Sequence, residues 1–429
     1  MLRRTLYGAA LLLAWVLAWM LAPWSSKLRA ALRLRRGVWQ RLRAAALRRD
    51  GSRSLIWFHV ASAGEFLQAE PLLRRFRERG FQLAVTVLSP SGMRWLERVR
   101  SWPEVVWADV LPLDTARAAR RLLELLRPAA LVYVQADLWP NLLWQAHRLG
   151  VPQALVAARL GPRSARGASA LGRWFYRDLY GRLQLVLAAT EQDARRLERL
   201  GVAPPVLGVG GDPGIETVLA RVREAVLPPG LAGPLAGPPL LVGGSLWPAD
   251  AAPLLPVLRP LVQAGALRLI LVPHEPTPAH LAELEQALTG LEVRRLSAWQ
   301  GAAGAPWPAV LLVDEVGKLA GLYHLGHIAY VGGGFSSGVH NVAEPAGAGL
   351  PVLFGPRHAN SGVAQALLER GAGIAVANRA ELERCLRRLL EEPARTRELG
   401  RTAQQVVQGL AGAAEETFRA LAGLVSPTE

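Results

Sequence analysis

The sequence predicts an α/β protein with two doubly wound parallel sheets and an apolar helix before them. Short apolar runs of strand length alternate with amphipathic helical stretches from about Ser54 onward, and this alternation is typical of parallel βαβ units. It stops at a stretch rich in Pro and Gly, Leu227–Pro239, and restarts after it. A long uncharged run lies near the start of the chain. These observations divide the sequence into an anchor and basic segment over 1–50, a first domain over 51–226, a linker over 227–239 and a second domain over 240–429.

The uncharged run Leu6–Trp24 is nineteen residues long, enough for a helix to cross a hydrocarbon core about 30 Å thick. Arg3 and Arg4 precede it, and nine Lys or Arg residues without an acid lie between Lys27 and Arg49. Because the more positive flank stays in the cytoplasm, the body of the protein is expected to face the cytosol. A cleaved signal peptide is the alternative, but the run is long for one and no A-x-A cleavage site follows it.

The basic segment after this run has helical spacing and a tryptophan, which indicates an interfacial helix on anionic headgroups. A solvated, arginine-rich helix is the alternative. The formal net charge of +16 favours anionic partners, and this segment supplies more than half of it. Because the charge is concentrated there and no basic-aromatic pattern is present, nucleic acid is not an expected partner.

Cysteine and histidine usage predicts no metal site. The chain has one cysteine, Cys385, which excludes an internal disulfide and a cysteine-based metal cluster. There is no HExxH motif, and the close pair His324 and His327 has no third candidate ligand beside it.

The alternating runs assign the strands of both domains. In 51–226 they are LIWFHV, FQLAVTVL, VVWADV, ALVYVQ, QALVAA and LVLAA. In 240–429 they are LLVGGS, LRLILVP, AVLLVDE, HIAYVGGG, LPVLFGP and GIAVA, and the tail from about Pro393 is helical. Such apolar strands are expected to be buried on both faces. A cleft between two such domains is the default ligand site.

The segment HVASAGE, His59–Glu65, ends a predicted strand in a turn of small residues that carries one carboxylate. Because proline is tolerated only near the start of a helix, Pro71 predicts that Glu65 precedes the regular helix, at the strand-end edge of the sheet. A functional role for this lone carboxylate is one interpretation, since open α/β sheets bind ligands at strand ends. A glutamate that only stabilises a helix N-terminus is the alternative.

In the second domain, Gly332, Gly333 and Gly334 follow a predicted strand and allow backbone N–H groups to approach a ligand closely. A helix is expected to start near Asn341, and a glycine loop that meets a helix N-terminus binds phosphate. Glu344 in that helix suits ribose hydroxyls instead. An ordinary glycine turn with a helix-dipole glutamate is the alternative.

Other polar residues also follow predicted strands, where open α/β sheets bind ligands. Ser245 is a phosphate contact or a plain N-cap, and His274 is a ligand contact or a structural histidine. In the first domain, Gln135 and Asp137 occupy such a strand end. The segment ARLGPRSARG adds three candidates for an anionic substrate, each of which is equally well explained as a solvated arginine: Arg159, Arg163 and Arg166.

These segments, in this order, resemble the Kdo transferases, the 3-deoxy-D-manno-octulosonic acid transferase family of lipid A biosynthesis. The similarity runs from about Leu55 to about Gly409 and includes the N-terminal anchor. It rests on ASAGE, DLWPNLL and GGGFSSGVHNVAEPAGAGLPVLFGP. In the last of these, the residues in step with the family motif are His340, Asn341, Glu344, Pro345, Gly355, Pro356 and Asn360.

The resemblance implies a GT-B fold, with two Rossmann-like domains facing a cleft, in a protein of the bacterial inner membrane. It implies an inverting transfer of Kdo from CMP-Kdo to a lipid A precursor, lipid IVA, in lipopolysaccharide biosynthesis, without a metal or another cofactor. Two alternatives remain open. One is an inner-membrane GT-B glycosyltransferase that uses another activated sugar, and the other is a catalytically silent protein that binds a nucleotide sugar at the membrane.

The resemblance also implies roles for individual residues. Glu65 is the expected catalytic base, and Ser62 and Gly64 belong to its turn. The acceptor side is expected to include Gln135, Asp137 and Arg159. The residues expected to hold the CMP moiety are Ser245, His274, Gly317, Gly332, Gly333, Gly334, His340, Asn341 and Glu344.

The sequence departs from the family pattern at several of these places. Gln135 stands where the family has an acid, Asp137 is shorter than the glutamate of the family, and Lys318 stands where the family has a glutamate. The segment VGGDPG, Val209–Gly214, lacks the lysine of the matching family motif. Three interpretations of these changes stay open: a different acceptor or donor sugar, a divergent organism, and lost activity.

Overall fold

The computed structural model describes residues 2–88, 90–161, 164–228, 231, 237–299 and 307–425. The chain forms two compact units. The first contains Met1–Thr217 and Gly412–Glu429, and the second contains Val218–Ala411. The division falls within one helix, Gly214–Glu224, and not at the predicted Pro/Gly linker, of which residues 229, 230 and 232–236 lie outside the described residues.

The first unit is built on a parallel sheet of seven strands among the described residues, in the order β3-β2-β1-β4-β5-β6-β7. Its strands are β1 Leu55–Val60, β2 Gln82–Val87, β3 Val105–Val110, β4 Ala130–Val134, β5 Gln153–Ala158, β6 Leu185–Ala188 and β7 Leu207–Val209. The six predicted strands are confirmed, and four of them are buried at every position. The sequence missed β7, because it has only three residues and none of them is fully buried.

Helices surround this sheet and precede it. The N-terminal ones are α1 Leu2–Leu21, a 3-10 helix Ala22–Trp24, α2 Ser26–Leu34 and α3 Val38–Leu47. The others that begin in this unit are α4 Ala63–Glu78, α5 Pro90–Arg100, α6 Ala116–Leu126, α7 Pro140–Arg148, α8 Ala165–Ala168, α9 Ala170–Tyr180, α10 Glu191–Arg199 and α11 Gly214–Glu224.

The second unit repeats the architecture, with a described parallel sheet in the order β10-β11-β9-β8-β12-β13-β14. Its strands are β8 Leu240–Leu246, β9 Arg268–Pro273, β10 Val293–Arg295, β11 Val310–Leu312, β12 Ile328–Val331, β13 Val352–Phe354 and β14 Gly373–Ala375. Its helices are α12 Pro248–Gln263, α13 Pro278–Ala287, α14 Leu319–Tyr323, α15 Ala343–Gly347, α16 Gly362–Glu369, α17 Arg379–Glu391 and α18 Pro393–Gly409. The prediction of two doubly wound domains is confirmed.

The structure corrects the first predicted boundary, because the basic segment is not one separate interfacial helix. Gly37 adopts a left-handed φ of 70° and separates α2 from α3, a conformation that glycine accepts without strain. Val38, Leu42 and Ala45 of α3 are buried in the hydrophobic core of the first unit. The first unit therefore begins before residue 51. The helical spacing of the segment is therefore explained in part by the packing of α3 in the core, and not only by contact with headgroups.

The last helix, α19 Ala413–Val425, is a second correction, because the sequence placed it in the second domain. It packs on α4 in the first unit, where Phe418 lies 4.8 Å from Phe76 between ring centroids. Arg75 of α4 also pairs with Glu415 at 3.2 Å. Amphipathic spacing shows that a helix has a core-facing side, but not which of two cores it faces.

The position of Pro71 differs from the sequence-based expectation. Helix α4 runs through Pro71, so Glu65 lies in its first turn and not before it. A proline inside a helix removes one backbone N–H and leaves a carbonyl four residues earlier without its partner. Here the hydroxyl of Thr217 donates to that carbonyl, on Leu67, at 3.4 Å. A distant hydrogen bond thus accommodates a residue that local rules exclude.

Each sheet has one point where the order of connection reverses. It lies between β1 and β4 in the first unit and between β8 and β12 in the second. Ligands of doubly wound proteins bind outside the carboxyl ends of the strands at such points. The segment of Glu65 follows β1 and that of Asp137 follows β4. The Gly332–Gly334 loop follows β12, and Ser245 lies near the end of β8.

Candidate active site

Glu65 is held by both ends of the turn between β1 and α4. Its backbone N–H donates to the hydroxyl of Ser62, the N-cap residue, at 3.3 Å. Its carboxylate Oε2 accepts from the N–H of Ala61 at 2.6 Å. This exchange resembles a capping box and fixes the side chain at the strand-end edge. A Cβ on Gly64 would approach only Ser62 Oγ, at 3.9 Å, so steric fit does not require glycine there.

The pKa of the Glu65 carboxyl is shifted toward neutral pH. The side chain is buried, with 8% of its surface exposed. Burial, together with the nearby charge of Asp137, raises the pKa of Glu65 to about 7, although hydrogen bonds from Ala61 and Ser62 and the charge of Arg166 act in the opposite direction. A carboxyl group with this pKa has the proton affinity that a general base needs near neutral pH.

Asp137 is the second carboxylate at this switch point. Its Oδ2 accepts from the indole N–H of Trp139 at 3.3 Å and lies 3.6 Å from Nε2 of the fully buried His59. Burial opposes ionisation of Asp137, but the interactions with His59 and Trp139 outweigh it, and the pKa of Asp137 is lowered. Two neighbouring carboxyl groups with divergent pKa values are typical of an acid–base site.

The remaining acceptor-side residues form one hydrogen-bonded network. Gln135 Nε2 donates to Gln68 Oε1 at 2.8 Å, and Gln68 Nε2 donates to Asp212 Oδ2 at 2.9 Å. The same oxygen accepts from Arg159 Nη2 at 2.8 Å. The amide at position 135 therefore takes part in a neutral amide pair, and the charge of Arg159 is compensated by Asp212. Arg163 lies outside the described residues.

Two of the four non-glycine residues with a positive φ in the described part of the chain lie at the switch points. Gln135 and Ser245 have φ values of 57° and 52° at the ends of β4 and β8, and Ala157 has a φ of 48° near the end of β5. A left-handed conformation costs energy in a residue with a Cβ atom, and it persists where the surrounding structure enforces it, often at functional sites.

In the second unit, the fully buried Asp250 organises the glycine loop. Its Oδ2 accepts from the N–H groups of Gly333 at 2.7 Å and Trp247 at 3.1 Å. Its Oδ1 accepts from the N–H of Phe335 at 3.3 Å and the hydroxyl of Tyr330 at 3.4 Å. The N–H of Gly333 is thus used inside the protein, although the sequence assigned that loop to a phosphate.

Close backbone packing explains the three glycines. A Cβ on Gly332 would lie 2.3 Å from the carbonyl oxygen of Ser245, and one on Gly333 would lie 2.3 Å from that of Gly338. A Cβ on Gly334 would lie 2.5 Å from the backbone nitrogen of Gly355. The structure therefore brings Ser245 against the loop and gives the loop a structural role.

Three aromatic rings form a stack beside this loop. The rings of His274 and His340 are 4.2 Å apart and nearly parallel, and Trp247 lies 4.7 Å from His274. The indole N–H of Trp247 donates to Nε2 of His340 at 2.6 Å, so that nitrogen carries no proton. Burial, together with the nearby His274, lowers the pKa of His340 to about 4. His274 and His340, both predicted to bind the CMP moiety, are therefore held together as neutral rings.

The other residues predicted to bind the CMP moiety make separate contacts. Asn341 Oδ1 accepts from the N–H of Ala343 at 3.0 Å, at the start of the five-residue helix α15. Glu344 is buried and pairs with Arg221 at 3.0 Å. Burial raises the pKa of Glu344, and Arg221 partly offsets this effect. Gly317 is exposed with a φ of 85°, and its neighbour Lys318 pairs with Glu315 at 3.4 Å.

Sequence reasoning missed several residues that shape the two sites. They are His59, Gln68, Asp212, Arg221, Trp247 and Asp250. Only Asp250 had a local signal, since it is the third residue of a helix that starts with Pro248, a position where an acid accepts from the N-cap backbone. The others act through tertiary contacts. Within the described part of the chain, no group of three or more His, Cys, Asp or Glu side chains is arranged to hold a metal ion.

Comparison with solved structures identifies the class. The crystal structure of CalG4, the calicheamicin glycosyltransferase, covers 88% of this chain and 99% of its own, with a TM-score of 0.53 and 14% identity. At that identity the likeness concerns the fold alone. Two doubly wound parallel sheets, each with polar side chains gathered at its switch point, define an α/β protein with the GT-B fold.

Sequence comparison identifies the family. A family model described as 3-Deoxy-D-manno-octulosonic-acid transferase (kdotransferase) matches residues 33–213. The 3-deoxy-D-manno-octulosonic acid transferase of Bordetella pertussis is 32% identical over 406 residues, which cover 90% of this chain and 92% of that protein. The 3-deoxy-D-manno-octulosonic acid transferase of Chlamydophila psittaci is 30% identical over 351 residues, which cover 80% of this chain and 79% of that protein. The chain belongs to the 3-deoxy-D-manno-octulosonic acid transferase family, a family of glycosyltransferases.

Proposed function

We propose that this protein transfers Kdo from CMP-Kdo to a lipid A precursor, lipid IVA, with inversion at the anomeric carbon and without a metal or another cofactor. Family membership supports the transfer of Kdo. The observation that carries the mechanism is the buried carboxyl of Glu65, whose pKa is raised to about 7, beside the ionised Asp137 at the switch point of the first sheet. A base of that strength takes the proton of the acceptor hydroxyl as the hydroxyl oxygen attacks the anomeric carbon.

The donor belongs to the second unit in this proposal. Ser245 and the strand-end edge beside the Gly332–Gly334 loop receive the phosphate, and Asn341 and Glu344 receive the ribose. Gly317 and the neutral rings of His274 and His340 lie near the nucleotide. Neutral histidine rings suit contact with a nucleobase face better than with a dianion, since they offer a π surface without a full charge. CMP leaves as an anion, which nearby N–H groups stabilise.

A location at the cytoplasmic face of the bacterial inner membrane completes the proposal. The helix Leu2–Trp24 is long and apolar enough to cross a membrane, and little of it is buried in the protein. The arginines that follow it favour anionic headgroups. A lipid acceptor lies in the same membrane surface to which the enzyme would be attached. The apolar helix therefore supports the assignment of a lipid acceptor in this proposal.

The direct test is transfer from CMP-Kdo, generated in situ, to a tetraacyl lipid A precursor in detergent, with products identified by mass spectrometry. A mass gain of one or more Kdo units is expected. If no gain occurs while CMP still binds, a glycosyltransferase with another donor sugar or acceptor is the better assignment. In that case Gln135→Glu and Lys318→Glu are the first reversions to test, because both restore the acids of the family pattern.

The pH dependence of the transfer should follow Glu65. Because the ionised form is the base, the rate should rise about tenfold per pH unit below pH 7 and level off above it. Asp137→Asn removes the neighbouring negative charge, so it should lower the pKa of Glu65 and move this limb to lower pH. A pH–rate profile of kcat/KM for both proteins checks this, and an unchanged limb in Asp137→Asn would contradict the coupling.

Replacement of Glu344 should weaken CMP binding about 10–100-fold, the loss expected when a hydrogen bond to a charged group is removed. Isothermal titration with CMP and with its 2′,3′-dideoxy analogue distinguishes two roles. If Glu344 holds the ribose, Glu344→Ala weakens only CMP binding. If it serves only to pair with Arg221, both nucleotides lose affinity equally, and Arg221→Ala reproduces the effect.

A further inference from the structure

The beginning of α1 is fixed to the first unit by polar contacts. Arg3 pairs with Asp178 of α9 at 3.1 Å, and its guanidinium lies 4.1 Å from the ring centre of Trp174. The hydroxyl of Tyr7 donates to Asp114 Oδ2 at 2.9 Å. Asp114 is itself buried and caps α7 by accepting from the N–H groups of residues 141 and 142. The first two turns of α1 therefore rest on the body of the protein.

The end of α2 is fixed to the same unit. Arg35, the C-cap residue of α2, donates to the carbonyl oxygens of Leu88 and Leu111, both at 3.1 Å. These carbonyls directly follow β2 and β3. The next helix, α3, is part of the core of the first unit. The segment 2–34 is thus a helical hairpin with both of its ends on one unit.

The exposed surface of this hairpin is apolar. Large apolar side chains are exposed along α1 and at the turn that follows it: Leu2, Leu6, Leu12, Leu13, Val16, Leu17, Trp19, Met20, Leu21 and Trp24. Arg29 and Arg33 are exposed on α2, and Arg36 follows it. Arg33 and Arg36 lie toward the base of the hairpin, where a bilayer with anionic headgroups favours basic groups. Arg29 differs from them, because its guanidinium donates to the carbonyl oxygens of Ala22 and Pro23 at the turn.

The length of the returning helix limits the depth. From Trp24 to Arg35 the chain makes eleven steps, which span roughly 16 Å at about 1.5 Å per helical residue. A hydrocarbon core is about 30 Å thick. The tip can therefore reach no deeper than about the middle of a bilayer while both ends stay at the body. A full crossing by α1 would require Arg3 and Tyr7 to leave Asp178 and Asp114.

We propose that residues 2–34 insert into one leaflet of an anionic bilayer as a re-entrant hairpin, so that α1 does not cross the membrane and both ends of the hairpin lie on the side of the first unit. This differs from the topology that the sequence suggests, in which Arg3 and Arg4 lie on the far side. The length and hydropathy of α1 are compatible with both topologies. The contacts of Arg3, Tyr7 and Arg35 distinguish them.

Cysteine accessibility in vesicles tests the topology. The single native cysteine is removed by Cys385→Ser, and Leu2→Cys or Glu398→Cys is added to the full chain, both at exposed positions. Each protein is inserted into preformed vesicles that contain phosphatidylglycerol, and a membrane-impermeant maleimide is added outside. We expect Leu2→Cys to be labelled to the same extent as Glu398→Cys. Labelling of Leu2→Cys only after detergent is added, with Glu398→Cys accessible before, would overturn the proposal.

A second measurement tests the lipid contact itself. Leu13→Ser combined with Leu17→Ser places two polar groups in the apolar face, and co-flotation with the same vesicles should fall at least tenfold. The matched control is Leu149→Ser combined with Leu410→Ser, which changes two exposed leucines elsewhere on the protein and should leave flotation unchanged. Equal flotation of both double variants would contradict insertion of this face.

Discussion

The variant Glu65→Gln should lose about 10²–10⁴-fold in transfer rate, the usual contribution of a general base, while its affinity for CMP stays unchanged. Glutamine keeps an oxygen that accepts from the N–H of Ala61, so the cap at the start of α4 is retained. It has no basic carboxylate, so the acceptor hydroxyl keeps its proton during attack. A single-turnover measurement with saturating CMP-Kdo isolates this step from binding and release.

Glu78→Gln is the matched control for this experiment. Glu78 is an exposed glutamate in the last turn of the same helix, so its replacement should leave turnover and stability unchanged. If Glu65→Gln turns over at a rate near that of the unmodified protein, Glu65 serves only as a capping residue. Because the cap survives the substitution, loss of folding cannot account for a large fall in rate.

The second large effect concerns Asp250→Ala. Removing this carboxylate leaves the N–H groups of Trp247, Gly333 and Phe335 and the hydroxyl of Tyr330 without their partner, in places that are buried or partly buried. Each unsatisfied buried group costs about 1–3 kcal/mol, so a loss of about 3–5 kcal/mol in the free energy of unfolding is expected. We also expect weaker CMP binding, because the Gly332–Gly334 loop loses the residue that fixes its shape.

Thermal unfolding, CMP titration and hydrogen exchange together check this prediction. The amides of Gly333 and Phe335 should exchange much faster in Asp250→Ala than in the unmodified protein. Glu283→Ala, which removes an exposed acid from the neighbouring helix α13, serves as the control and should change none of these quantities. A fall of less than about 1 kcal/mol would show that water replaces the carboxylate at little cost.

Local pattern was enough to predict most strands. The run LIWFHV coincides with β1, and QALVAA coincides with β5, because a strand buried on both faces must be apolar at nearly every position. The short strands β7 and β10 were missed because none of their three residues is fully buried, so they lack the apolar run that marks the other strands. The expectation from Pro71 was wrong, because the hydroxyl that satisfies the orphaned carbonyl of Leu67 comes from Thr217, 150 residues away in the chain.

Some features of the candidate sites were also predictable from the sequence, and others were not. Turn composition and motif placed Glu65, Asp137, Ser245 and the glycine loop at strand ends. The raised pKa of Glu65 was not predictable, because it depends on burial and on a carboxylate that a different strand supplies. The sequence also did not predict that the N–H of Gly333 donates to Asp250 and not to a ligand.

By itself, the sequence determined that the chain forms two doubly wound domains with an apolar N-terminal helix, and it identified the turns that carry candidate chemistry. Those properties depend on the period of apolar residues and on turn residues, which are local in the chain. Tertiary structure alone decided the protonation of Glu65, the core that α19 joins, and the attachment of α1 to the first unit. Each of these depends on which distant side chains meet, and a pattern that is local in sequence does not contain that information.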